Sequence, residues 1–178
     1  MKVQRFSEHR AMPWANGLGT SFEVASDRNI DGVWTWRVAI APVVSDGPFS
    51  VMPGVDRELV VIEGNGMVLD VDGELVKCMP GQVVRFSGDS TTFARLVDGP
   101  VVDLGLMTVR GSVTGSVVVT ADVGDVIESD LLVAIGDAVF EDESGNNYRL
   151  ESRDAVLGVS GHQVVLLDGV AIAIHTNC

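Results

Sequence analysis

The chemistry best supported by this sequence is anion binding by an arginine set among small side chains. In segment 34–41, strand alternation places Thr35, Arg37, Ala39 and Ala41 on one face. Two alanines beside Arg37 leave space in front of its guanidinium, which is either solvent or a cavity. The planar guanidinium can donate two parallel hydrogen bonds to a carboxylate, and an internal salt bridge is the alternative. The opposite face predicts core packing and carries Trp34, Trp36, Val38 and Ile40.

A second arginine, Arg57, follows a segment bracketed by two Pro/Gly turns. The first turn is in residues 47–50, which include Phe49 and Ser50, and the second is at 53–54. Arg57 either forms a local ion pair with its neighbour Asp56 or points into the mouth of a barrel. The sequence leaves both interpretations open.

An aspartate provides a third candidate group, on a strand covering residues 101–107. Alternation places Asp103, Gly105 and Met107 on the same face. An aspartate beside a glycine is unusual in a strand. Because burying a carboxylate without a partner is costly, we expect Asp103 to balance a cation or to line a pocket.

The glycine-rich segment 14–20 is a weak signal for phosphate binding, because it lacks the Lys-Ser/Thr of a P-loop. Gly17 and Gly19 are interpreted as residues that permit backbone conformations barred to other residues. Asn16 and Thr20 either contact a ligand or satisfy local backbone groups.

Neither a metal site nor another cofactor is predicted. The three histidines, His9, His162 and His175, form no HxH or HxxxH pair. Cys78 and Cys178 form no CxxC pair, so the sequence shows no thiolate zinc site or disulfide framework.

Composition predicts an all-β chain. Among 178 residues there are 32 valines, which favour strands, and 20 glycines and six prolines, which favour turns. The formal net charge of −13 argues against partners such as nucleic acid or an anionic membrane. Ten of the 12 Lys and Arg residues lie in residues 1–110, while residues 111–178 are strongly acidic.

About a dozen short strands separated by turns predict a sandwich or barrel. The change in charge suggests a first half at 1–110 and an acidic second half at 111–178. Strands expected in the second half include 131–135, 138–141, 164–167 and 170–175. The polar residues 1–10 and the lack of a long apolar run predict neither a signal peptide nor a membrane span, and hence a cytoplasmic protein.

Taken in order, these pieces resemble the HutD/Ves family. The matching motifs are Trp14-x-Asn16-Gly17-x-Gly19-Thr20-x-x-Glu23, Trp36-Arg37, Gly47-Pro48-Phe49-Ser50, Pro53-Gly54-x-Asp56-Arg57, Gly88-Asp89, Gly99-Pro100, Asp103 and residues 107–110. These motifs cover roughly the first 110 residues. Beyond them, the resemblance rests only on the β-rich character of the sequence. The family usually has glycine where Leu18 stands and asparagine where Gly105 stands, and loss of that asparagine removes a polar group from the predicted cavity face.

The resemblance implies a cupin-type double-stranded β-helix, or jelly roll, with two packed barrel-like halves (a bicupin). It implies an accessory or regulatory protein of histidine utilisation that binds a small acidic metabolite of the N-formylglutamate or urocanate class. Arg37 and Arg57 would anchor the carboxylates. The remaining residues expected at the pocket are Asn16, Thr20, Glu23, Phe49, Ser50, Asp103 and Met107.

A binding protein is favoured over two alternatives. The first is a metal-free enzyme acting on a small acid, with Glu23 or Asp103 as general base. The second is a scaffold whose acidic second half meets a protein partner. Because many cupin-like proteins dimerise through their strands, the resemblance is also compatible with a homodimer.

Overall fold

The computed structural model describes residues 1–14 and 17–177 and confirms the all-β prediction. A single turn of 3-10 helix, Phe6–Glu8, interrupts the strands of the described chain. The strands are β1 (Lys2–Gln4), β2 (Arg10–Pro13), β3 (Thr20–Arg28), β4 (Trp34–Val43), β5 (Gly47–Pro48), β6 (Val55–Glu63), β7 (Met67–Val71), β8 (Glu74–Cys78), β9 (Val83–Ser87), β10 (Thr92–Leu96), β11 (Val101–Val109), β12 (Thr114–Thr120), β13 (Val126–Glu128), β14 (Leu131–Asp142), β15 (Asn147–Leu150), β16 (Ala155–Leu157) and β17 (Gln163–Asn177).

The chain forms two compact units. The large unit is Arg10–Thr114 together with Asn177, and the small unit is Met1–His9 together with Gly115–Thr176. This division differs from the predicted boundary at residue 110 mainly at the amino terminus, where β1 pairs with β16 of the small unit. Strand pairing between residues far apart in sequence leaves no local signal, so composition did not reveal it.

The large unit contains two antiparallel sheets. The six-stranded sheet has the order β2-β3-β4-β11-β6-β9, and the four-stranded sheet has the order β5-β10-β7-β8. A core of buried side chains lies in this unit and includes Leu59, Val61, Leu69 and Val84. As described, both sheets end at edge strands, so the predicted pair of closed barrels stays a prediction.

The small unit is one sheet of seven strands, built around the order β1-β16-β14-β17-β12. Two of its strands are longer than predicted, because the turn signals at Gly136 and Gly169 mark irregularities within β14 and β17 rather than strand ends. Gly169 has φ +89°, and a Cβ there would overlap the carbonyl oxygen of Asp137. Glycine therefore allows the two long strands to stay paired across a shift in register.

A buried carboxylate fixes the amino-terminal segment within the small unit. Asp154 accepts hydrogen bonds from the backbone N–H groups of Phe6 (2.8 Å) and Glu151 (3.0 Å) and from Arg5 Nη1 (2.5 Å). Burial alone would raise the pKa of Asp154, but its hydrogen bonds to Arg5, Glu151 and Phe6 outweigh that effect and lower the pKa. The ionised form is thus stabilised by directed donors.

In the described part of the chain, no helix is long and apolar enough to cross a membrane.

Asp154→Ala is expected to lower the free energy of unfolding by about 2–4 kcal/mol, since it leaves two backbone donors without their acceptor. Chemical denaturation measures this change. Asp168→Ala is the matched control, because Asp168 is exposed in the same unit. Equal unfolding free energies for the two variants would show that the Asp154 contacts do not secure the amino terminus.

Candidate ligand-binding site

Three neighbouring strands of the six-stranded sheet form the floor of the candidate site. Antiparallel β11 pairs with β4 on one side and β6 on the other, so directly opposed residues form rows across the sheet. One row carries the two arginines, the middle row carries small residues on β4 and β11, and the third carries the aspartate. The rows are Arg37–Met107–Arg57, Ala39–Gly105–Leu59 and Ala41–Asp103–Val61.

The small middle row opens into a cavity of about 350 Å³. A Cβ placed on Gly105 would find only the Glu58 carbonyl oxygen nearby, at 3.9 Å. Glycine is therefore not demanded by backbone geometry here, and its missing side chain leaves space in the cavity. The lining residues are Met12, Pro13, Trp14, Ser21, Trp34, Arg37, Ala39, Ala41, Val43, Phe49, Ser50, Met52, Arg57, Asp103, Gly105 and Met107.

Arg37 reaches the cavity with much of its hydrogen-bonding capacity unused. Its guanidinium carbon lies 4.8 Å from the ring centroid of Trp34, and its Nη2 lies 3.5 Å from the sulfur of Met107, a weak acceptor. Its Nε is buried without a hydrogen-bond partner. Burial lowers the Arg37 pKa, while the charge of Glu23 opposes that shift. Space in front of Arg37, inferred from its alanine neighbours, is thus a cavity.

The position of Trp34 differs from the regular alternation predicted for β4. It was expected on the core face, yet its ring lines the same cavity as Arg37. The pairing of β4 with β3 shifts in register between Asp27 and Arg28, which pair with Trp36 and Trp34, so an irregularity at this point interrupts the alternation.

Arg57 is held between aromatic rings. Its guanidinium carbon lies 5.1 Å from the ring centroid of Phe49 and 5.0 Å from that of Phe86, and its Nη1 donates to the Ser50 carbonyl at 3.4 Å. Burial lowers the Arg57 pKa, and the charge of Asp103 counteracts it. Of the two interpretations left open by the sequence, the structure supports the inward one, because Asp56 pairs with Arg110 instead, at 2.7 Å.

Asp103 is the one acidic residue among the lining side chains. It is 5% exposed, and burial raises its pKa to about 7, with the charge of Arg57 acting in the opposite direction. Arg57 is therefore the cationic neighbour expected for Asp103. Within residues 1–14 and 17–177, however, the salt bridges do not include Asp103.

Trp14, which begins the glycine-rich segment, lines the cavity and is held in place by Gly19 and Ser21. The backbone N–H of Trp14 donates to the Gly19 carbonyl at 2.8 Å, and its indole Nε1 donates to Ser21 Oγ at 2.8 Å. A Cβ on Gly19 would lie 2.8 Å from the Trp14 ring, and Gly17 has φ +72°. Both glycines thus serve the local structure, Gly19 by close approach and Gly17 by its left-handed backbone.

The structure brings together six of the nine residues predicted at the site: Arg37, Phe49, Ser50, Arg57, Asp103 and Met107. Thr20 is exposed at the start of β3, outside the lining, and Asn16 falls outside the described residues. Glu23 is also outside the lining and forms a 3.3 Å salt bridge with Arg10.

The sequence did not single out several lining residues as site residues. Ala39, Ala41 and Gly105 had the signal of sharing a strand face with Arg37 or Asp103. Val43 had the same signal, since it follows Ala41 by two residues on β4. Met12 and Met52 had no such signal, because only the folding of the chain around the sheet places them at the cavity. Among the described residues, no three His, Cys, Asp or Glu side chains converge as a ligand set for a metal.

Solved structures place this architecture in the cupin-like class. A cupin 2 conserved barrel domain protein from Leptotrichia buccalis superposes with a TM-score of 0.56 at 10% identity, covering 99% of this chain and 96% of that one. At that identity the likeness establishes the fold alone.

The family follows from closer matches. The HutD family profile matches residues 6–173. HutD from Pseudomonas fluorescens SBW25, solved in a formate condition, has a TM-score of 0.81 and 27% identity over 99% of both chains. The chain therefore belongs to the HutD family, which confirms the resemblance seen in its motifs.

Two curated relatives are similar to the motif-rich part of the chain. An uncharacterized 21.2 kDa protein in the hutC 3′ region of Pseudomonas putida is 34% identical over 110 residues, which cover 60% of this chain and 57% of that protein. Protein Ves of Citrobacter koseri is 34% identical over 106 residues, which cover 57% and 56%. The aligned regions span a little over half the length of these relatives.

Asp103 is expected to make stability fall as pH rises from about 4 to 7. The unfolded carboxyl ionises near pH 4, whereas the folded carboxyl keeps its proton up to about pH 7, so folding takes up a proton in this range. The loss is complete above pH 7. Asp103→Asn should therefore flatten this part of the profile and raise the unfolding free energy at pH 8.

Urea denaturation between pH 4 and 8 measures both effects, with Asp27→Asn as the control, because Asp27 is exposed on β3. A uniform loss of stability in Asp103→Asn at every pH would contradict the expectation. It would show that the carboxyl has a structural role independent of its ionisation.

Proposed function

We propose that this chain is a small-molecule binding protein whose cavity takes a small carboxylic acid. The observation that carries this proposal is the pair of arginines, Arg37 and Arg57, which line one apolar-walled cavity without a salt bridge from the described residues. In a chain with a net charge of −13, the local positive charge is a specific arrangement rather than a general property of the protein.

The energetics favour a ligand that brings negative charge. Burial disfavours the charged guanidinium groups, as the lowered pKa values of Arg37 and Arg57 indicate. A carboxylate offsets this cost, because charge-assisted hydrogen bonds strengthen where water is excluded. Arg37 Nη1 and Nη2 contact the sulfurs of Met12 and Met107, which are weak acceptors, so these nitrogens supply the donors for such a contact.

The size of the cavity supports a metabolite rather than a peptide side chain or a large cofactor. A volume of about 350 Å³ lies near the lower end of the range usual for small-molecule sites. Trp14, Trp34, Phe49 and Met52 provide apolar walls around the charged groups. We infer that binding requires neither a metal nor another cofactor, because the charged groups lining the cavity are two arginines and one aspartate.

Membership of the HutD family supports a role in histidine utilisation. The Pseudomonas putida relative is named for its position in the hutC 3′ region. We therefore propose an accessory or regulatory protein of the cytoplasm that binds an acid of the N-formylglutamate or urocanate class. We also propose that the two units correspond to the two barrel-like halves of a bicupin.

An enzyme acting on a small acid is the second candidate function. Asp103 favours it, since a carboxyl with a pKa of about 7 is suited to act as a general base near neutral pH. NMR spectra of candidate acids incubated with the protein test this function, and a new product lost in Asp103→Asn would establish it. A scaffold has less support, because the space beside Arg37 is an open cavity rather than packed side chains.

Arg37→Ala is expected to weaken acid binding by roughly 30-fold or more, because a desolvated charge loses its partner. Isothermal titration calorimetry with formate, succinate, glutarate, urocanate and N-formylglutamate measures the affinities. Arg95→Ala is the matched control, since Arg95 lies in the four-stranded sheet and pairs with Asp70 at 3.5 Å, away from the cavity. Equal affinity in Arg37→Ala and Arg95→Ala would refute the anchoring role, and unchanged binding after EDTA treatment is expected.

Gly105→Leu is expected to weaken acid binding by about tenfold or more, or to abolish it, because the leucine side chain would occupy the space of the ligand. The fold should tolerate it, since a Cβ there meets little and strands favour larger residues. Gly105→Ala, which adds one methyl group, is the size control and should lose much less affinity. Thermal unfolding monitors folding, and full acid affinity in Gly105→Leu would place the ligand elsewhere.

A further inference from the structure

Asp103 is a carboxylate on the cavity wall whose presence the two arginines do not explain. An anion-binding cavity made only to attract carboxylates would not gain from a carboxylate on its own wall. Yet Asp103 is buried, lines the cavity and forms no salt bridge with any residue of the described chain. The described contacts of the two cavity arginines go to other groups: Arg37 Nη2 lies 3.5 Å from the Met107 sulfur, and Arg57 Nη1 donates to the Ser50 carbonyl at 3.4 Å.

A bound ligand changes the surroundings of this carboxylate. An acid that fills about 350 Å³ displaces the water able to hydrate Asp103. If the ligand offers only apolar or acceptor atoms there, Asp103 stays buried without a donor, which is costly for an ionised group. An N–H or O–H group on the ligand donates to Asp103 and removes this cost. The cavity then favours ligands that carry such a donor over ligands that lack one.

The geometry of β11 separates the two contacts. Met107 stands in the row of the arginines, and Asp103 stands two rows away. Four residues of strand correspond to about 13 Å between their Cα atoms. Gly105 lies between them without a side chain, so a molecule can lie across the middle row and reach both ends.

We propose that the ligand is an acid that also carries a hydrogen-bond donor, and that this N–H or O–H donates to Asp103 while its carboxylate binds Arg37 and Arg57. This assignment rests on the proposed function and narrows it, because simple mono- and dicarboxylates satisfy the arginines alone. Asp103 is thereby a specificity residue of the cavity, and the open space at Gly105 is what lets one small molecule contact both groups.

Two pairs of acids test the assignment on the unchanged full chain. Urocanate carries an imidazole N–H, and 3-(3-furyl)acrylate keeps the acrylate and ring but has no N–H. N-Formylglutamate carries an amide N–H, and glutarate keeps two carboxylates without it. Titration calorimetry at pH 8, above the Asp103 pKa of about 7, measures the affinity of each acid. In the pair whose donor-bearing acid binds more tightly, that acid should have an affinity about tenfold or more above the affinity of its donor-free counterpart.

Asp103→Ala identifies the residue responsible, because alanine offers no acceptor to the N–H or O–H of the ligand. The preference should fall below about threefold in Asp103→Ala and persist in Asp27→Ala, which removes a carboxylate at an exposed position. The comparison of acids on the unchanged protein does not depend on the folding of any variant.

The outcomes separate this assignment from the function on which it rests. A donor-free acid that binds the unchanged protein as tightly as its donor-bearing counterpart would overturn the assignment and leave acid binding intact. A preference that survives Asp103→Ala would also overturn it, since the donor would then contact another group. Absence of binding by every acid would overturn the proposed function and this assignment together.

Discussion

The register of β11 against β4 and β6 is the constraint on which the site depends. Antiparallel pairing places Met107 between Arg37 and Arg57, Gly105 beside Ala39, and Asp103 beside Ala41. A slip of one residue in β11 would turn all three of its cavity residues to the opposite face of the sheet. The buried residues Leu104 and Leu106, which alternate with them, hold the register, because their apolar side chains gain by remaining out of water.

Among the salt bridges of residues 1–14 and 17–177, none joins Asp103 to either of the arginines that line the same cavity. Arg57 lies between Phe49 and Phe86, whose rings attract the guanidinium through their faces and restrict its position. Arg37 has Trp34 in the same role. The rings restrict the arginines without accepting conventional hydrogen bonds from them, whereas a carboxylate partner would use their N–H donors and reduce the capacity to bind an anion.

Much of the site was visible in the sequence as faces of strands. The Arg37, Ala39 and Ala41 face indicated open space, and the shared face of Asp103, Gly105 and Met107 indicated a cavity wall, because alternation is a local property of a strand. The motifs of the HutD family indicated the fold. Trp34 and the amino-terminal strand β1 escaped prediction, since the register shift between β3 and β4 and the pairing of β1 with β16 depend on how strands meet rather than on local alternation.

The sequence by itself determined the all-β architecture, the acidic character and the residues able to bind an anion. Valine content, turn glycines and strand alternation act over a few residues, so they can be read without the fold. Only the tertiary structure decided that Arg37 and Arg57 line the same cavity, that Arg57 turns away from Asp56, and that Asp103 is buried with a pKa of about 7. These properties arise from long-range strand register and from exclusion of water, which depend on packing of the whole unit.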